Sequence, residues 1–574
     1  MAQLLQKPLI FATCLWCNET MAQTPLPIPD TLSGSVIDLT LQEATWEFHP
    51  GEVVNTYGYN GSLLGPTLIL NQGQAVTLNV TNALPDLTTT HWHGMHVSPA
   101  NDGGPHSLIY PNTTWSPSFT VLDRAGTYWY HPHGHGLTDY QVSMGAAGMI
   151  LVRDAAEAAV ALLPKRYGVD EFPLIIQAKA IVAGQIAMHT GLDSVITVNG
   201  VREPQAEFPA QVVRLRCVNG SSERSFFLGL SNGTTFFVAG TDGGLLSAPE
   251  PCTRVPLMPG ERLDLLLDLT AAQGTNFELM AFNSELPTGV IGGPQVGNGM
   301  ATLDGYLDNA LNGADHRILG ITVGPATVDP ILIIPPYLVP LFPLQEADAQ
   351  VTRSFTVEPQ GTMPMEVIEG PFTINGALMD MDSINLVVSL GSTEIWSFTN
   401  NTMVGHPIHI HDVQFNILDR NGMPLEAWES GWKDVVYVPA MGGARVLMRF
   451  DDFADPDMPY MYHCHLLMHE DEGMMGQFLV VDPTSIGEAA DVKRVMVWPN
   501  PSADGHLMLS VPGSEGQGEL LVNDALGRLM FAGSLAFTAG NARVVLPALA
   551  PGNYTLRITD QHGVRHSAHV ALQH

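Results

Sequence analysis

Basic residues are scarce in this sequence of 574 residues. The chain has 24 lysines and arginines but 57 aspartates and glutamates, which gives a formal net charge of -33. Proteins that bind nucleic acids or anionic membrane surfaces carry clustered positive charge, because phosphate groups supply most of the attraction. The composition therefore argues against both kinds of partner. Solubility in a salty or extracellular medium is the simplest interpretation of the acidity.

Long uninterrupted apolar runs are missing as well. Outside the N-terminus, the only apolar block is 331–342, which is short and contains Pro335, Pro336 and Pro340. A helix that crosses a bilayer needs about 20 consecutive apolar residues. We therefore expect no membrane span and a soluble mature protein.

The N-terminus has the features of a secretion signal. Lys7 precedes the apolar run 9–17, and Ala22 supplies a candidate cleavage site. This order is typical of a signal peptide over residues 1–22, although a disordered tail is the alternative interpretation. We expect the mature protein to be secreted or exposed at the cell surface.

Cysteine is rare, with five residues in the whole chain. Signal cleavage would remove Cys14 and Cys17 and leave three cysteines. If Cys464 binds a metal ion, Cys217 and Cys252 could form a disulfide in an oxidising compartment. Nothing in the sequence fixes their separation, so two buried free thiols are an equal alternative.

Long amphipathic helices are also absent from the pattern, and short strands take their place. The sequence contains 56 glycines and 42 prolines, which indicate many turns. Between the turns, apolar residues alternate as in strands at 68–70, 75–80, 118–121, 149–152, 212–218, 236–238, 262–269, 394–398, 415–418 and 446–450.

The chain length and the three groups of runs predict an all-β protein with three consecutive β-sandwiches. We expect these domains at 30–160, 170–325 and 346–483. The proline-rich stretch 325–345 is too stiff for a random coil, so it predicts an extended strap across a domain surface.

A fourth unit is predicted at 490–574. It contains a Trp-Pro-Asn-Pro segment from Trp498, an Asp-Ala-Leu-Gly-Arg turn that ends at Arg528, and a Pro-Gly-Asn-Tyr strand from Pro551. This combination resembles the C-terminal sorting domain of type IX secretion substrates, a small Ig-like β-sandwich. The resemblance implies export by the secretion machinery, with optional removal of the domain. An ordinary Ig-like accessory module is the alternative.

The most informative segment is His463-Cys464-His465-Leu-Leu-Met-His469, which is followed by Met474. A thiolate, an imidazole and a thioether at the spacing Cys-x4-His-x4-Met are the ligands of a blue-copper electron-transfer site. Neighbouring residues in a strand point to opposite faces. His463 and His465 can therefore serve a different metal centre from Cys464, so that one segment connects two sites.

Further histidine clusters are His91-Trp-His93, His131-Pro-His133 and His406-Pro-Ile-His409-Ile-His411. Residues i and i+2 of a strand share a face, so each His-x-His pair offers two imidazoles in one direction. The pairs can converge where the first and last sandwiches meet and can hold several metal ions. Zinc would explain the histidines but not the Cys-x4-His-x4-Met element, so copper fits better.

With these motifs, the segment from about 30 to 482 resembles the three-domain bacterial multicopper oxidases, a group that includes laccases, cuprous oxidases and bilirubin oxidases. The resemblance extends to Gly240-Thr-Asp-Gly-Gly244 and Pro259-Gly-Glu-Arg262 in the middle domain. It implies three cupredoxin-like Greek-key sandwiches and four copper ions. It also implies oxidation of a small-molecule electron donor with O2 as the acceptor.

The resemblance assigns the copper ligands position by position. A type 1 copper would be bound by His406, Cys464 and His469, with Met474 as the axial ligand. A type 2 copper would be bound by His91 and His409, and a type 3 pair by His93, His131, His133, His411, His463 and His465. No ligand is substituted in this chain. Hydrogen bonding or simple exposure is the expected role of the nearby His96, His106 and His135.

Two carboxylates occupy positions at which the family supplies protons for oxygen reduction, namely Asp102 and Glu470. Asp102 precedes two glycines and Glu470 directly follows a histidine, so a turn residue and a helix-start carboxylate are the alternative interpretations. Asp434 also matches a family segment, Gly431-Trp-Lys-Asp434. A structural role is an equal alternative for Asp434.

The substrate prediction depends on missing methionines. Cuprous oxidases of this family have a methionine-rich insert and an aspartate–methionine pair before the third motif. This chain has no methionine-dense run between 350 and 400 and has Asn401-Thr-Met-Val-Gly405 at the position of the pair. We therefore expect a laccase-like oxidase of phenols or aromatic amines. A cuprous oxidase and a non-catalytic copper-binding or scaffold protein are the alternatives. We separately expect the protein to be a monomer.

Overall fold

The computed structural model describes residues 24–574 except 189–192, 298–301, 303–305, 362–367, 483–494, 501, 503–504, 512–513, 525–527, 562–564 and 573–574. The chain forms two compact units, Met1–Asp482 and Pro483–His574. The predicted signal peptide over 1–22 lies outside the described residues. No helix within the described ranges is long and apolar enough to cross a membrane.

The first sandwich of the larger unit lies between Thr31 and Ala159. Its elements are β1 (Thr31–Ser33), β2 (Val36–His49), β3 (Glu52–Tyr59), β4 (Thr67–Asn71), β5 (Ala75–Asn82), β6 (His91–His93), α1 (Pro99–Asp102), β7 (Thr114–Trp115), β8 (Ser118–Thr120), β9 (Gly126–His131), α2 (Thr138–Ser143), β10 (Gly148–Arg153) and α3 (Ala155–Ala159). One sheet has the order β1-β4-β10-β9-β6, and the other has the order β3-β2-β5-β7, with β8 also paired to β5. In β5, Val76, Leu78 and Val80 are buried while the residues between them are not, so alternation fixes the face that packs into the core.

The middle sandwich comes next in the chain, and none of the four histidine motifs lies in its sequence. Its strands are β11 (Glu171–Val182), β12 (Gln185–Ala187), β13 (Val195–Val198), β14 (Val201–Arg202), β15 (Gln205–Pro209), β16 (Val212–Asn219), β17 (Phe226–Leu230), β18 (Phe236–Thr241), β19 (Gly244–Cys252), β20 (Val255–Leu257), β21 (Arg262–Asp268), β22 (Asn276–Phe282) and β23 (Asp315–Gly324). The sheet orders are β14-β13-β11-β16-β21-β18-β19, with β12 on β11, and β15-β23-β22-β17-β20. Both sheets contribute to one apolar core.

Both cysteines of the middle sandwich are free thiols. Cys217 lies in β16 and is fully buried, and Cys252 ends β19 and is half-buried. The sequence left open either a disulfide between Cys217 and Cys252 or two free thiols, and the structure shows two free thiols.

The segment 325–345 contains neither helix nor strand and connects the middle sandwich to the last one. Its carbonyl at Ile331 accepts from the N–H of Val212 (2.7 Å), and its N–H at Leu338 donates to the carbonyl of Ser247 (2.8 Å). Its N–H at Leu344 donates to the Asn416 side chain (3.0 Å). These bonds hold the segment as an extended strap across both sandwiches.

The last sandwich of the larger unit carries the late histidine motifs. Its elements are β24 (Val351–Pro359), β25 (Phe372–Ile374), β26 (Leu386–Ser389), β27 (Thr393–Asn400), β28 (His406–Ile410), β29 (Phe415–Arg420), β30 (Val435–Val438), β31 (Gly443–Arg449), β32 (Asp455–Cys464), α4 (Leu467–Asp471) and β33 (Met475–Val481). The sheet orders are β25-β24-β27-β31-β29 and β26-β33-β32-β28-β30. Their shared core includes Cys464 and Met474.

The smaller unit is a separate sandwich. Its strands are β34 (Met496–Trp498), β35 (His506–Ser510), β36 (Gly516–Asp524), β37 (Leu529–Phe537), β38 (Asn541–Val545), β39 (Gly552–Thr559) and β40 (Arg565–Leu572). The sheets β34-β35-β38 and β37-β36-β39-β40 enclose their own core. The predicted all-β class is confirmed, whereas the predicted boundaries of independently folding domains stay a prediction.

Candidate metal centre

Paired strands place the histidine clusters opposite one another. In the first sandwich, β6 pairs with β9 so that His91 lies opposite His131. In the last sandwich, β28 pairs with β32 so that His409 lies opposite His463. Residues that lie opposite each other in an antiparallel pair project from the same face of the sheet. These four strands therefore bring histidines from both ends of the larger unit into one buried region.

Cys464 ends β32 and lies in a buried group with His406 and His469. Its Sγ atom is 3.5 Å from Nδ1 of His406 and 3.7 Å from Nδ1 of His469. Donor atoms of these three types within 4.8 Å of one another can hold a single ion. Met474 is fully buried, and its backbone N–H donates to the carbonyl of His469 (2.8 Å), which keeps it next to this group.

The outer nitrogens of the two histidines have partners of their own. Nε2 of His469 donates to the carbonyl of Ile368 (2.6 Å), and Nε2 of His406 lies 2.9 Å from the hydroxyl of Thr402. The ring of Phe372 packs against both imidazoles, at centroid distances of 5.0 Å and 4.7 Å. The Nδ1 atoms are thereby left facing the cysteine sulfur, as metal ligands would be.

Two triplets of imidazole nitrogens form the second part of the centre. In one, the Nε2 atoms are 3.1 to 3.3 Å apart and belong to His133, His411 and His463. In the other, Nδ1 of His93 lies 3.4 Å from Nε2 of His131 and 3.2 Å from Nε2 of His465. Three nitrogens around one ion at about 2 Å stand about 3.3 Å apart, so both triplets have the size of a three-nitrogen metal site.

His91 and His409 form the third part. Nδ1 of His91 donates to the carbonyl of Asp102 (2.9 Å), and Nδ1 of His409 donates to the carbonyl of Asp434 (2.8 Å). Their Nε2 atoms are buried and have no hydrogen-bond partner among the described residues. Buried polar atoms are rarely left without a partner. The two free nitrogens therefore fit a bound metal ion.

Burial keeps these imidazoles unprotonated, which is the form that binds metals. It lowers the pKa well below the usual value for His93, His131, His133, His406, His409 and His465. It lowers the pKa of His411 to about 3 and that of His469 to about 4. Burial also raises the pKa of the Cys464 thiol well above its usual value, so the thiolate needs a bound cation to form.

Asp102, at the end of α1, is buried beside two of these histidines. One carboxylate oxygen accepts from Nδ1 of His411 (2.8 Å), and the other lies 3.4 Å from Nδ1 of His91. Burial raises the pKa of Asp102, but the two histidines outweigh it and leave the pKa below its usual range. Asp102 therefore fixes the orientation of the His411 and His91 rings. A residue with only a turn role would not do this.

Glu470 lies in α4 and is buried on the other side of the triplets. Its carboxylate oxygens are 3.3 Å from Nδ1 of His133 and 3.0 Å from Nδ1 of His463. Both predicted acids thus contact two imidazoles each, one acid from the first sandwich and one from the last.

Sequence reasoning left Asp434 open and missed Arg262 as a site residue. An oxygen of Asp434 lies 3.2 Å from Nε2 of His93, and the same carboxylate accepts two hydrogen bonds from the guanidinium of Arg262, one of them 2.6 Å long. Arg262 begins β21, so the middle sandwich also reaches the centre. The family-like segment Pro259-Gly-Glu-Arg262 was the sequence signal that could have identified Arg262 as a site residue. Gly260 in that segment has φ +83° and lies so close to the ring of His465 that a Cβ would be 2.8 Å away.

The three histidines that lie near the motifs in the sequence but have no predicted ligand role, His96, His106 and His135, lie outside these groups. His96 pairs with Asp412 (2.9 Å) and Asp452 (2.7 Å). Burial lowers the pKa of His96, but the two carboxylates outweigh it and raise the pKa to about 11. His106 lies 2.8 Å from a glutamine side-chain oxygen, and His135 is exposed.

Comparison with known proteins gives the same family for both ends of the larger unit. Two family models, both described as multicopper oxidase, match residues 40–157 and 343–484. The multicopper oxidase mco of Staphylococcus haemolyticus is 30% identical over 77% of this chain and 88% of that protein. The cell division protein FtsP of Sodalis glossinidius is 32% identical over 83% of this chain and 96% of that protein.

Two solved structures share the fold over 80% of this chain and 100% of theirs. One is a laccase-like multicopper oxidase CueO from Ochrobactrum sp., described as active towards lignin model compounds, with 33% identity and a TM-score of 0.70. The other is the multicopper oxidase McoA from Aquifex aeolicus, with 31% identity and a TM-score of 0.70. With the buried sulfur and imidazole groups described above, the chain belongs to the multicopper oxidase family and is an oxidoreductase that binds copper and uses O2 and an electron donor.

Proposed function

We propose that the protein is a laccase-like oxidase, which takes single electrons from phenols or aromatic amines and reduces O2 to water. The observation that carries this proposal is how one short segment divides its side chains. Cys464 lies in one group with His406 and His469, whereas His463 and His465 lie in the two triplets. Adjacent residues of one strand end therefore join an electron-accepting site to an oxygen-reducing site by covalent bonds.

The residues present fit four copper ions. One would be held by His406, Cys464 and His469 together with Met474, one by His91 and His409, and a pair by the two triplets. When bound, copper supplies the one-electron and oxygen chemistry that no side chain has. The chain supplies the fixed geometry, and a thioether ligand from Met474 would keep the redox potential of the first site moderate.

Reduction of O2 also consumes protons, and Asp102 and Glu470 are proposed to deliver them. Both side chains are buried. Each contacts two imidazoles of the centre, so a proton that passes through either carboxylate arrives close to the place where oxygen is reduced.

Organic donors are proposed over copper(I) because the sequence has no methionine-dense run between 350 and 400. Between 350 and 400 the sequence has four methionines, in the two separated pairs Met363 with Met365 and Met379 with Met381, and the first pair lies outside the described residues. The likeness to the Ochrobactrum oxidase supports an aromatic donor.

Export is part of the proposal. The signal-like residues 1–22 and the likeness of 490–574 to a sorting domain support a secreted or cell-surface protein that leaves through type IX secretion machinery. The separate β-sandwich of the smaller unit is compatible with such a domain.

Oxygen uptake by the copper-loaded protein tests the function. With a phenol as donor we expect steady uptake that Cys464→Ser abolishes, while Cys217→Ala, a change to a cysteine outside the centre, leaves it unchanged. Competition between copper(I) and the phenol then separates the two oxidase classes. Preference for copper(I) by orders of magnitude would make the protein a cuprous oxidase.

A copper-binding protein without turnover is the competing function, because relatives named for cell division are as similar to this chain as those named multicopper oxidase. Full copper uptake with no oxygen consumption from any donor would establish that function. The complete set of imidazoles and both buried acids favour the oxidase.

A further inference from the structure

A cavity of about 740 Å³ lies between the middle and last sandwiches of the larger unit. This volume suits one small organic molecule. Apolar side chains form much of its wall, namely Phe227, Pro256, Met258, Pro287, Trp428 and Pro439. With Tyr437 and Pro251, which also line the cavity, three aromatic rings and four prolines offer flat, rigid surfaces against which an aromatic ring can stack.

The cavity wall adjoins the group formed by His406, Cys464 and His469. Tyr437 of β30 lines the cavity and lies opposite Pro407 in β28, the residue after His406. The Tyr437 hydroxyl packs against Gly405, the residue before His406. That hydroxyl is buried and has no hydrogen-bond partner in the described part of the chain. Tyr437 therefore lies between the cavity, which it lines, and the two residues that flank His406, a proposed copper ligand.

The charges around the cavity leave a negative excess. Its two arginines are already paired, Arg254 with Glu285 and Arg420 with Glu429. Glu250 and Glu426 also line the cavity, and no lysine, arginine or histidine of the described ranges forms an ion pair with either. A cation close to these two carboxylates would be attracted, and aromatic walls add cation–π attraction.

We propose that this cavity binds the organic electron donor and that the preferred donors are cationic aromatic amines. The inference rests on the proposed laccase-like function and specifies its substrate class. The protonated amine would give up one proton to solvent and one electron to the copper ion that His406, Cys464 and His469 would hold. It would leave as a radical cation with its net charge unchanged, and no other atom would be transferred.

Charge-neutralising variants test the assignment in the copper-loaded enzyme. With N,N-dimethyl-p-phenylenediamine as donor, Glu250→Gln with Glu426→Gln should raise KM by about five-fold, as expected for loss of partly exposed charge contacts, and leave kcat unchanged. The anionic donor ABTS should show an equal or lower KM. The matched control is Glu43→Gln with Glu52→Gln on β2 and β3, which changes the net charge equally and should leave both values unchanged. An unchanged KM in the first variant, or the same shift in the control, would overturn the assignment.

Cys252 gives a second readout that does not depend on turnover. It is a free, half-buried thiol that lines the cavity, whereas Cys217 is fully buried in the core. Dimethyl-phenylenediamine should slow maleimide labelling of Cys252 at least several-fold at concentrations about ten times its KM, where most sites are occupied, as followed by peptide mass spectrometry. Absence of protection would overturn the cavity assignment even if the enzyme oxidises the amine. Protection without any oxidation would retain the binding site but overturn both its donor role and the proposed function.

Discussion

Asp102, Asp434 and Glu470 are buried carboxylates that each lie next to ring nitrogens of the metal centre. A ring whose one nitrogen is held by a carboxylate presents its other nitrogen to a metal in a fixed direction. Only two of the three are proposed to move protons, because Asp434 is also paired with Arg262. Substitutions at these positions can therefore separate proton supply from ring orientation.

Replacement of either proposed proton donor should slow oxygen reduction without changing donor binding. We expect Asp102→Asn or Glu470→Gln to lower kcat by about 100-fold, the usual size of a lost general acid. The KM for the donor should stay as in the unchanged protein, since neither residue belongs to the sulfur-containing group. The copper content should also stay, because the amide oxygen of asparagine or glutamine can still accept from a ring N–H. Steady-state oxygen uptake and metal analysis measure both quantities. A loss of copper that parallels the loss of rate would show that the carboxylate acts only by holding its histidines.

The Arg262–Asp434 pair should contribute strongly to stability, because both partners are buried. Arg262→Leu leaves an uncompensated carboxylate in the interior and should lower the free energy of unfolding by about 3–5 kcal/mol. Adding Asp434→Asn to this variant should recover part of the loss. Urea unfolding of the copper-free protein measures the effect. As a control, Arg254→Leu at the exposed pair with Glu285 should cost about 1 kcal/mol or less.

At the scale of secondary-structure elements, the segment from β32 through α4 to β33 holds most of the unusual chemistry. Cys464 ends the strand, Glu470 lies in the helix and Met474 precedes the next strand. The strand end separates His463 and His465 from Cys464, and the short helix brings His469 back to the sulfur. The same element therefore fixes both sites and the connection between them.

Strand β11 contains a buried lysine that should make stability depend on pH. Lys179 donates to the carbonyl of Ser143 (2.9 Å), and burial lowers its pKa to about 7 although Asp139 raises it. Between about pH 7 and 10 the unfolded chain binds a proton that the folded protein does not, so the free energy of unfolding rises with pH across this window. Relative to Lys179→Met, we expect a rise of roughly 3 kcal/mol. Denaturant unfolding at several pH values checks this, and parallel curves for the two proteins would contradict it.

At the scale of the whole molecule, every side chain of the metal centre belongs to the larger unit. Removal of residues 483–574 should therefore leave copper content unchanged and kcat within about two-fold, because the smaller unit has its own core. Oxygen uptake by the shortened protein measures this. A large loss of kcat at full copper content would show that the smaller unit acts on the oxidase.

Copper should stabilise the first and last sandwiches together, since the triplets take ligands from both. Removal of copper by a chelator should lower the midpoint of their thermal unfolding by about 5 °C or more, because the ions bind only the folded arrangement. The smaller unit supplies none of these side chains, so its transition should not move. Calorimetry of the copper-loaded and copper-free proteins distinguishes the two transitions.

The sequence by itself determined the features that depend on neighbouring residues. Alternation of apolar residues predicted strands and the all-β class, because the two faces of a strand are set by successive residues. The same local rule predicted that Cys464 and its two histidine neighbours would lie in different groups. Motif spacing identified every histidine that lies in those groups.

Only the tertiary structure decided which distant residues share a group. His93 and His465 are 372 positions apart, yet their ring nitrogens are 3.2 Å from each other. The contact of Arg262 with Asp434 and the cavity beside Tyr437 likewise depend on how separate sandwiches pack, and the free state of Cys217 and Cys252 depends on how the strands of the middle sandwich are arranged. No local pattern encodes such contacts, because they follow from the folding of the whole chain around its cores.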